Sequence, residues 1–162
     1  MISHSDINEI VTDTLKSIGM YSDEALALLI GTGAVESGYK YLKQIKGPAR
    51  SYWQIEPATA IDNLDNYLSY RPELLNKVAK ASMIPYQILD EINLKIMETL
   101  LTCNIAFAIC MARIKYYRVP KPLPASGDLE GQAKYWLKYY NAGGKGTIDK
   151  FMDHTVKYYD SV

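Results

Sequence analysis

The chain is poor in cysteine, histidine, phenylalanine and net charge, and each shortage excludes something. It has 162 residues with two cysteines and two histidines. Cys103 and Cys110 stand seven apart in what reads as one helix. At helical rise their Cα atoms are roughly 10 Å apart, too far for a disulfide. They read as buried free thiols of a protein made in a reducing compartment. His4 and His154 are isolated, with no second histidine or cysteine at metal-ligand spacing, so no metal and no cofactor is expected. Lys plus Arg (18) equals Asp plus Glu (18), which removes the electrostatic argument for a nucleic-acid partner. A local basic cluster of Lys40, Lys43, Lys46 and Arg50 remains. The longest apolar run, near Ile105 to Met111, is too short and interrupted to span a bilayer. Residues 1–6 show neither a basic n-region nor an apolar h-region and do not read as a signal peptide.

Tyrosine is plentiful, with 14 residues against 2 phenylalanines. Its apolar ring and hydroxyl suit carbohydrate, and equally the edge of a hydrophobic core. The length suits one domain, residues 1–162, that buries a core without disulfide or metal staples. Cap and breaker residues divide it into helices. Ser5 caps a first helix with Ile7, Ile10, Val11, Leu15 and Ile18 inward, and Gly19 ends it. Ser22-Asp23-Glu24 opens a second. Pro57, Pro72 and Pro85 each suit a helix start. Residues 93–117 read as one long helix, apolar almost all round and therefore central and buried. A proline-rich connection follows, then a helix from Asp128 to Tyr140, a break at Asn141-Ala142-Gly143-Gly144, and a last helix from Thr147. Residues 52–55 suit a short extended piece. The expected fold is all-α or nearly so: about eight helices around a central buried one.

Gly33-Ala34-Val35-Glu36-Ser37-Gly38-Tyr39 carries the functional argument. Leu26, Leu29, Ile30 and Gly33 recur at helical spacing, and that face runs on to Glu36 or Ser37 before Gly38 stops the helix. A glutamate among apolar walls has its charged form disfavoured, and its pKa rises into the range a general acid needs. On this helix alone, a solvated surface glutamate is the commoner explanation of such a residue.

Three segments taken together alter that balance. Glu36-Ser37 is followed by Gly47-Pro48-Ala49-Arg50-Ser51-Tyr52-Trp53-Gln54-Ile55-Glu56-Pro57-Ala58-Thr59-Ala60, and then by Tyr140-Asn141-Ala142-Gly143. In order and spacing these resemble the catalytic domain of soluble lytic transglycosylases, in the lysozyme superfamily with goose-type lysozyme. Asn104-Ile105 is similar to the pair that opens that family's central helix. The resemblance covers about residues 22–152. The chain departs from the pattern at Ser51-Tyr52-Trp53, at Tyr139, and in an insert-like stretch at residues 67–92.

The resemblance implies a lysozyme-like fold and a site with Glu36 as its single catalytic carboxylate. Ser37, Tyr52, Trp53, Gln54, Tyr140 and Asn141 are the implied substrate-binding residues. Tyr140 would point its hydroxyl at Glu36, and Asn141 would contact sugar. Tyr52 and Trp53 would stack on a sugar face, although in an extended piece alternate residues face opposite ways and one of them belongs in the core. Gln54 lines the groove or ties the loop down as a buried amide. The implied reaction cleaves the bond between N-acetylmuramic acid and N-acetylglucosamine in a peptidoglycan glycan strand, closing a 1,6-anhydro ring. The alternatives are a hydrolysing muramidase, with Glu56 or Asp62 helping a water, and a non-catalytic virion or cell-wall-binding module. A short chain without a secretion signal looks more like a phage enzyme: a monomer made in the host cytoplasm, acting on the wall after release or from the virion.

Overall fold

Local sequence sets the ends of the helices. The computed structural model describes residues 2–160. Among them are nine α-helices, one 3-10 turn and no strand. Helix α1, His4–Ser17, is capped by Ser3, whose Oγ accepts from the Asp6 amide, and not by Ser5. Helix α2, Asp23–Ser37, is capped by Ser22, with Asp23 and Glu24 in its first turn. Pro57 opens α3, Pro57–Asn66, and Pro72 opens α4, Pro72–Ala81, after a 3-10 turn at Leu68–Tyr70. Short α5, Tyr86–Asp90, follows. The insert-like stretch thus folds into the 3-10 turn, α4 and α5, with Leu75, Val78 and Leu89 in the core.

The long central helix expected over residues 93–117 is two helices. Helix α6, Leu94–Cys103, and α7, Ile105–Tyr117, meet at a bend of 108°. Asn104 makes the break. Its backbone is extended, its Oδ1 caps the Phe107 amide, and its Nδ2 donates to the Ser82 carbonyl. Apolar patterning does not register such a break, because both sides of it are equally hydrophobic. The bend also separates the thiols: Cys110 is buried in α7, whereas Cys103, expected to be buried, is exposed at the end of α6. Helix α8, Leu129–Tyr139, is capped by Asp128, and α9, Ile148–Asp160, is the last of the described helices.

Two helices occupy the middle. Helix α7 is buried from Phe107 to Ile114, and α2 is buried at Ala25 and from Leu28 to Val35. A helix apolar on every face must be surrounded, and one continuous core contains side chains of all nine helices. Helix α9 lies along α2, and α8 packs on both. The end of α2 is locked from below. Tyr39 (φ +53°) folds its ring back under Gly33, and its hydroxyl donates to the Ile30 carbonyl at 2.9 Å. A Cβ on Gly33 would overlap that ring, so this close approach needs glycine. Among the described residues no single helix is long and apolar enough to cross a membrane.

Candidate active site

Glu36 leaves the last turn of α2 just before Gly38, which adopts the left-handed conformation (φ +58°) that ends the helix. Its carboxylate faces the start of the break after α8. Oε1 accepts from the Trp136 indole N–H at 2.9 Å, and Asn141 Nδ2 stands 3.4 Å from the same oxygen. Burial raises the Glu36 pKa above the ordinary glutamate value of 4.5. The Trp136 and Asn141 donors, and then the Lys115 and Lys150 charges, act in the opposite direction without cancelling it. The carboxyl therefore keeps a proton to higher pH than a surface glutamate, while held by donors ready to stabilise its anion.

The loop between α2 and α3 forms the facing wall. It folds on itself through isolated bridges Lys43–Arg50 and Arg50–Ile55. Arg50 pairs with Glu98, tying the loop to α6. Of residues 52–55, expected as an extended piece, 52–54 belong instead to a tight turn with Ser51 (φ +70°) and Gln54 (φ +47°) in left-handed conformations, and Ile55 alone bridges back to Arg50. A turn breaks the alternation of facing directions, yet it separates the two aromatic residues just as sharply. Trp53 is fully buried and donates its indole N–H to the Leu29 carbonyl at 2.9 Å. Half-buried Tyr52 packs against Tyr39, with ring centroids 5.5 Å apart. Neither lines the space beside Glu36. Gln54 does, and its Nε2 also donates to the Ser51 carbonyl at 2.7 Å, so it shapes the turn while facing the groove.

Two adjoining cavities of about 370 and 390 Å³ share Glu36, Gln44, Gln54 and Asn141 in their walls. Together they form a groove with Glu36 near its middle. The first is completed by Tyr41, Lys43, Ile45, Trp136, Lys145, Gly146 and Lys150. The second is completed by Glu56, Thr59, Lys115, Tyr140 and the Ala142–Gly144 segment.

The remaining expected residues have structural partners. Ser37 is buried. Its Oγ donates to the Gly33 carbonyl and accepts from the Tyr39 amide, so it shapes the helix end. Tyr140 borders the second cavity, but its hydroxyl donates to the Trp53 carbonyl at 2.8 Å and not to Glu36. Lys115 reaches over the Tyr140 ring, 3.9 Å from its centroid, and donates to the Tyr140 carbonyl at 2.9 Å. Burial lowers the Lys115 pKa, and the Glu36 and Glu56 charges work against that. Asp62 lies on α3 and pairs with Arg118.

Trp136, Lys115, Tyr41 and Gln44 were not anticipated from sequence. Trp136 carries a signal in hindsight: it lies four positions before Tyr140, the residue that caps α8, a spacing that puts both on one side of the helix end. Lys115 had none, being one of two cations, with Arg113, in a largely apolar helix. Among the described residues no three His, Cys, Asp or Glu side chains gather as metal ligands. Comparison with protein-family models, with curated proteins and with solved structures returns no match to this chain.

Proposed function

We propose that this chain is a glycosidase of lytic transglycosylase type that cleaves the glycan strand of peptidoglycan, with Glu36 as acid and then base. The observation that carries the reading is a half-buried carboxyl with a raised pKa in the middle of an open groove, held by an indole and an amide donor. Its order along the chain, with Gln54 and Tyr140-Asn141 following, is the order that the family resemblance requires. An elongated groove with tyrosine, amide and lysine side chains suits a polysaccharide, which offers hydroxyls and flat ring faces.

The chemistry follows from one carboxyl used twice. Protonated Glu36 donates its proton to the glycosidic oxygen linking N-acetylmuramic acid to N-acetylglucosamine, and the C1–O bond breaks. Positive charge develops at C1, where the neighbouring acetamido group stabilises it. The Glu36 anion, held by Trp136 and Asn141, then removes the proton from the muramic C6 hydroxyl. O6 bonds to C1, the 1,6-anhydro ring closes, and Glu36 regains its proton with no water consumed.

Hydrolysis is the second reading, and Glu56 favours it. This exposed carboxylate lines the same groove, and general-base activation of a water needs a second carboxylate set apart from the first. Mass analysis of the fragments released from purified peptidoglycan separates the two. Fragments ending in 1,6-anhydromuramic acid support the transglycosylase, and reducing ends assign the hydrolase. Intact peptidoglycan after prolonged incubation leaves the non-catalytic binding module as the reading that stands. The proposed setting is a phage lysis or virion enzyme acting as a monomer on the bacterial wall.

A further inference from the structure

The chain has no net charge, yet one half of its groove is strongly basic. Lys43 comes from the loop after α2, Lys145 from the break after α8, and Lys150 from the first turns of α9. Lys43 stands far along the chain from Lys145 and Lys150, which are near neighbours in sequence, and all three meet around one cavity, in which Glu36 is the sole acidic lining residue. All three lysines are exposed. The ion pairs among the described residues are Arg50–Glu98, Arg118–Asp62 and Lys134–Glu130, and none uses Lys43, Lys145 or Lys150. With Glu36 protonated for catalysis, that cavity carries three unneutralised positive charges. The basic cluster legible in sequence does not account for this: of Lys40, Lys43, Lys46 and Arg50, only Lys43 lines the cavity.

Like charges converge on a groove at a cost in mutual repulsion, which an anionic ligand relieves. Resting on the function proposed above, we infer that this lysine wall binds the carboxylates of the lactyl-peptide arm of the muramic residue. The enzyme thereby prefers glycan that carries charged peptide stems. The arm branches from the same sugar whose glycosidic bond Glu36 attacks, so its carboxylates fall beside the catalytic carboxyl. Lysine suits them better than arginine. Its ammonium is a point charge on a flexible stem, able to follow carboxylates at irregular positions along a mobile peptide. The other cavity has Glu56 and the half-buried Lys115 in its wall and lacks this charge, so the two halves of the groove are electrostatically distinct.

The test compares native peptidoglycan with a preparation whose carboxylates have been converted to primary amides by carbodiimide and ammonium, which changes charge while leaving the glycan intact. KM is measured on both for wild type, for the triple variant Lys43→Gln/Lys145→Gln/Lys150→Gln, and for Lys134→Gln as a charge-removal control outside the groove. Wild type and Lys134→Gln should show a KM about tenfold lower on native material at low salt, as expected for three exposed charge contacts. The triple variant should bring the ratio close to one, and added salt should shrink the wild-type ratio. Equal KM on both substrates for wild type, or an undiminished ratio in the triple variant, overturns this inference and leaves the proposed reaction standing. If wild type cuts neither substrate, the proposed function fails and this inference falls with it.

Discussion

Trp136 donates its indole N–H to Glu36 Oε1 at 2.9 Å, across 100 positions of sequence. The bond joins the end of α2 to the last turns of α8 and sets two effects against each other. Burial favours the protonated carboxyl, whereas the indole hydrogen bond favours the anion. A group that must give up a proton and then take one back needs both states within reach. Trp136 also packs on Phe151 of α9, with ring centroids 5.4 Å apart, so its position is fixed by the core rather than by the groove.

Trp136→Phe removes the donor and keeps an aromatic ring. Turnover should fall by roughly tenfold to a thousandfold, in the range for loss of an oriented active-site donor. The Trp136 bond lowers the Glu36 pKa, so its loss raises it. The acid form then persists to higher pH, and the alkaline limb of the pH–rate profile should move upward. An unmoved limb would mean that the indole does not act on Glu36 in solution.

Tyr140→Phe should behave differently. The lost hydroxyl leaves the Trp53 carbonyl without its partner, at a cost of about 1–3 kcal/mol for a buried acceptor. Thermal unfolding should shift down accordingly. Turnover measured well below the melting point should fall by less than about tenfold, because the effect reaches Glu36 only through the loop and not through a lost oriented donor. A collapse of turnover with unchanged stability would put the hydroxyl on the reacting groups instead.

The thiols report on the break at Asn104. Cys103 is exposed, while burial pushes the Cys110 thiol up to about 12. A thiol reagent should label one cysteine in the native protein and two after denaturation, without prior reduction. Two rapid labels on folded protein would contradict the packing of α7.

Stability against pH gives an independent reading of Glu36. Its folded pKa lies above the ordinary 4.5, so the folded state binds the proton more tightly than the unfolded chain. That advantage is fully present below the unfolded value and is lost as pH rises through the folded one. Glu36→Gln cannot ionise and escapes this loss. Its melting temperature relative to wild type should therefore increase from acidic pH, across the window above 4.5, to neutral pH. A gap that stays constant or closes would mean a carboxyl that is not destabilised by burial.

Much of the fold was legible because its signals are local. Ser22 with Asp23 and Glu24, Pro57, Pro72, Asp128 and Gly38 each fix a helix end by their own chemistry. The break at Asn104 was visible as a possible helix start, but it was outweighed by unbroken apolarity on both sides. The site was only half legible. Glu36, Gln54 and Asn141 meet in the groove as the motif order suggested. Trp53 and Tyr52 do not, because left-handed turns at Ser51 and Gln54 direct them elsewhere, and a sequence does not announce positive φ at serine or glutamine. Trp136 and Lys115 reach Glu36 and its surroundings through helix packing, of which the spacing of Trp136 to Tyr140 is the one local sign.

The central claim is that Glu36 performs the chemistry. The most direct measurement is the rate of release of soluble fragments from purified peptidoglycan by wild type and by Glu36→Gln, at equal concentration and with folding verified. Glutamine keeps an oxygen for the Trp136 and Asn141 donors but holds no transferable acidic proton. The account predicts a fall of at least about 10²–10⁴-fold, the contribution of a general acid, and more if Glu36 serves both steps. Release by Glu36→Gln within tenfold of wild type would contradict it.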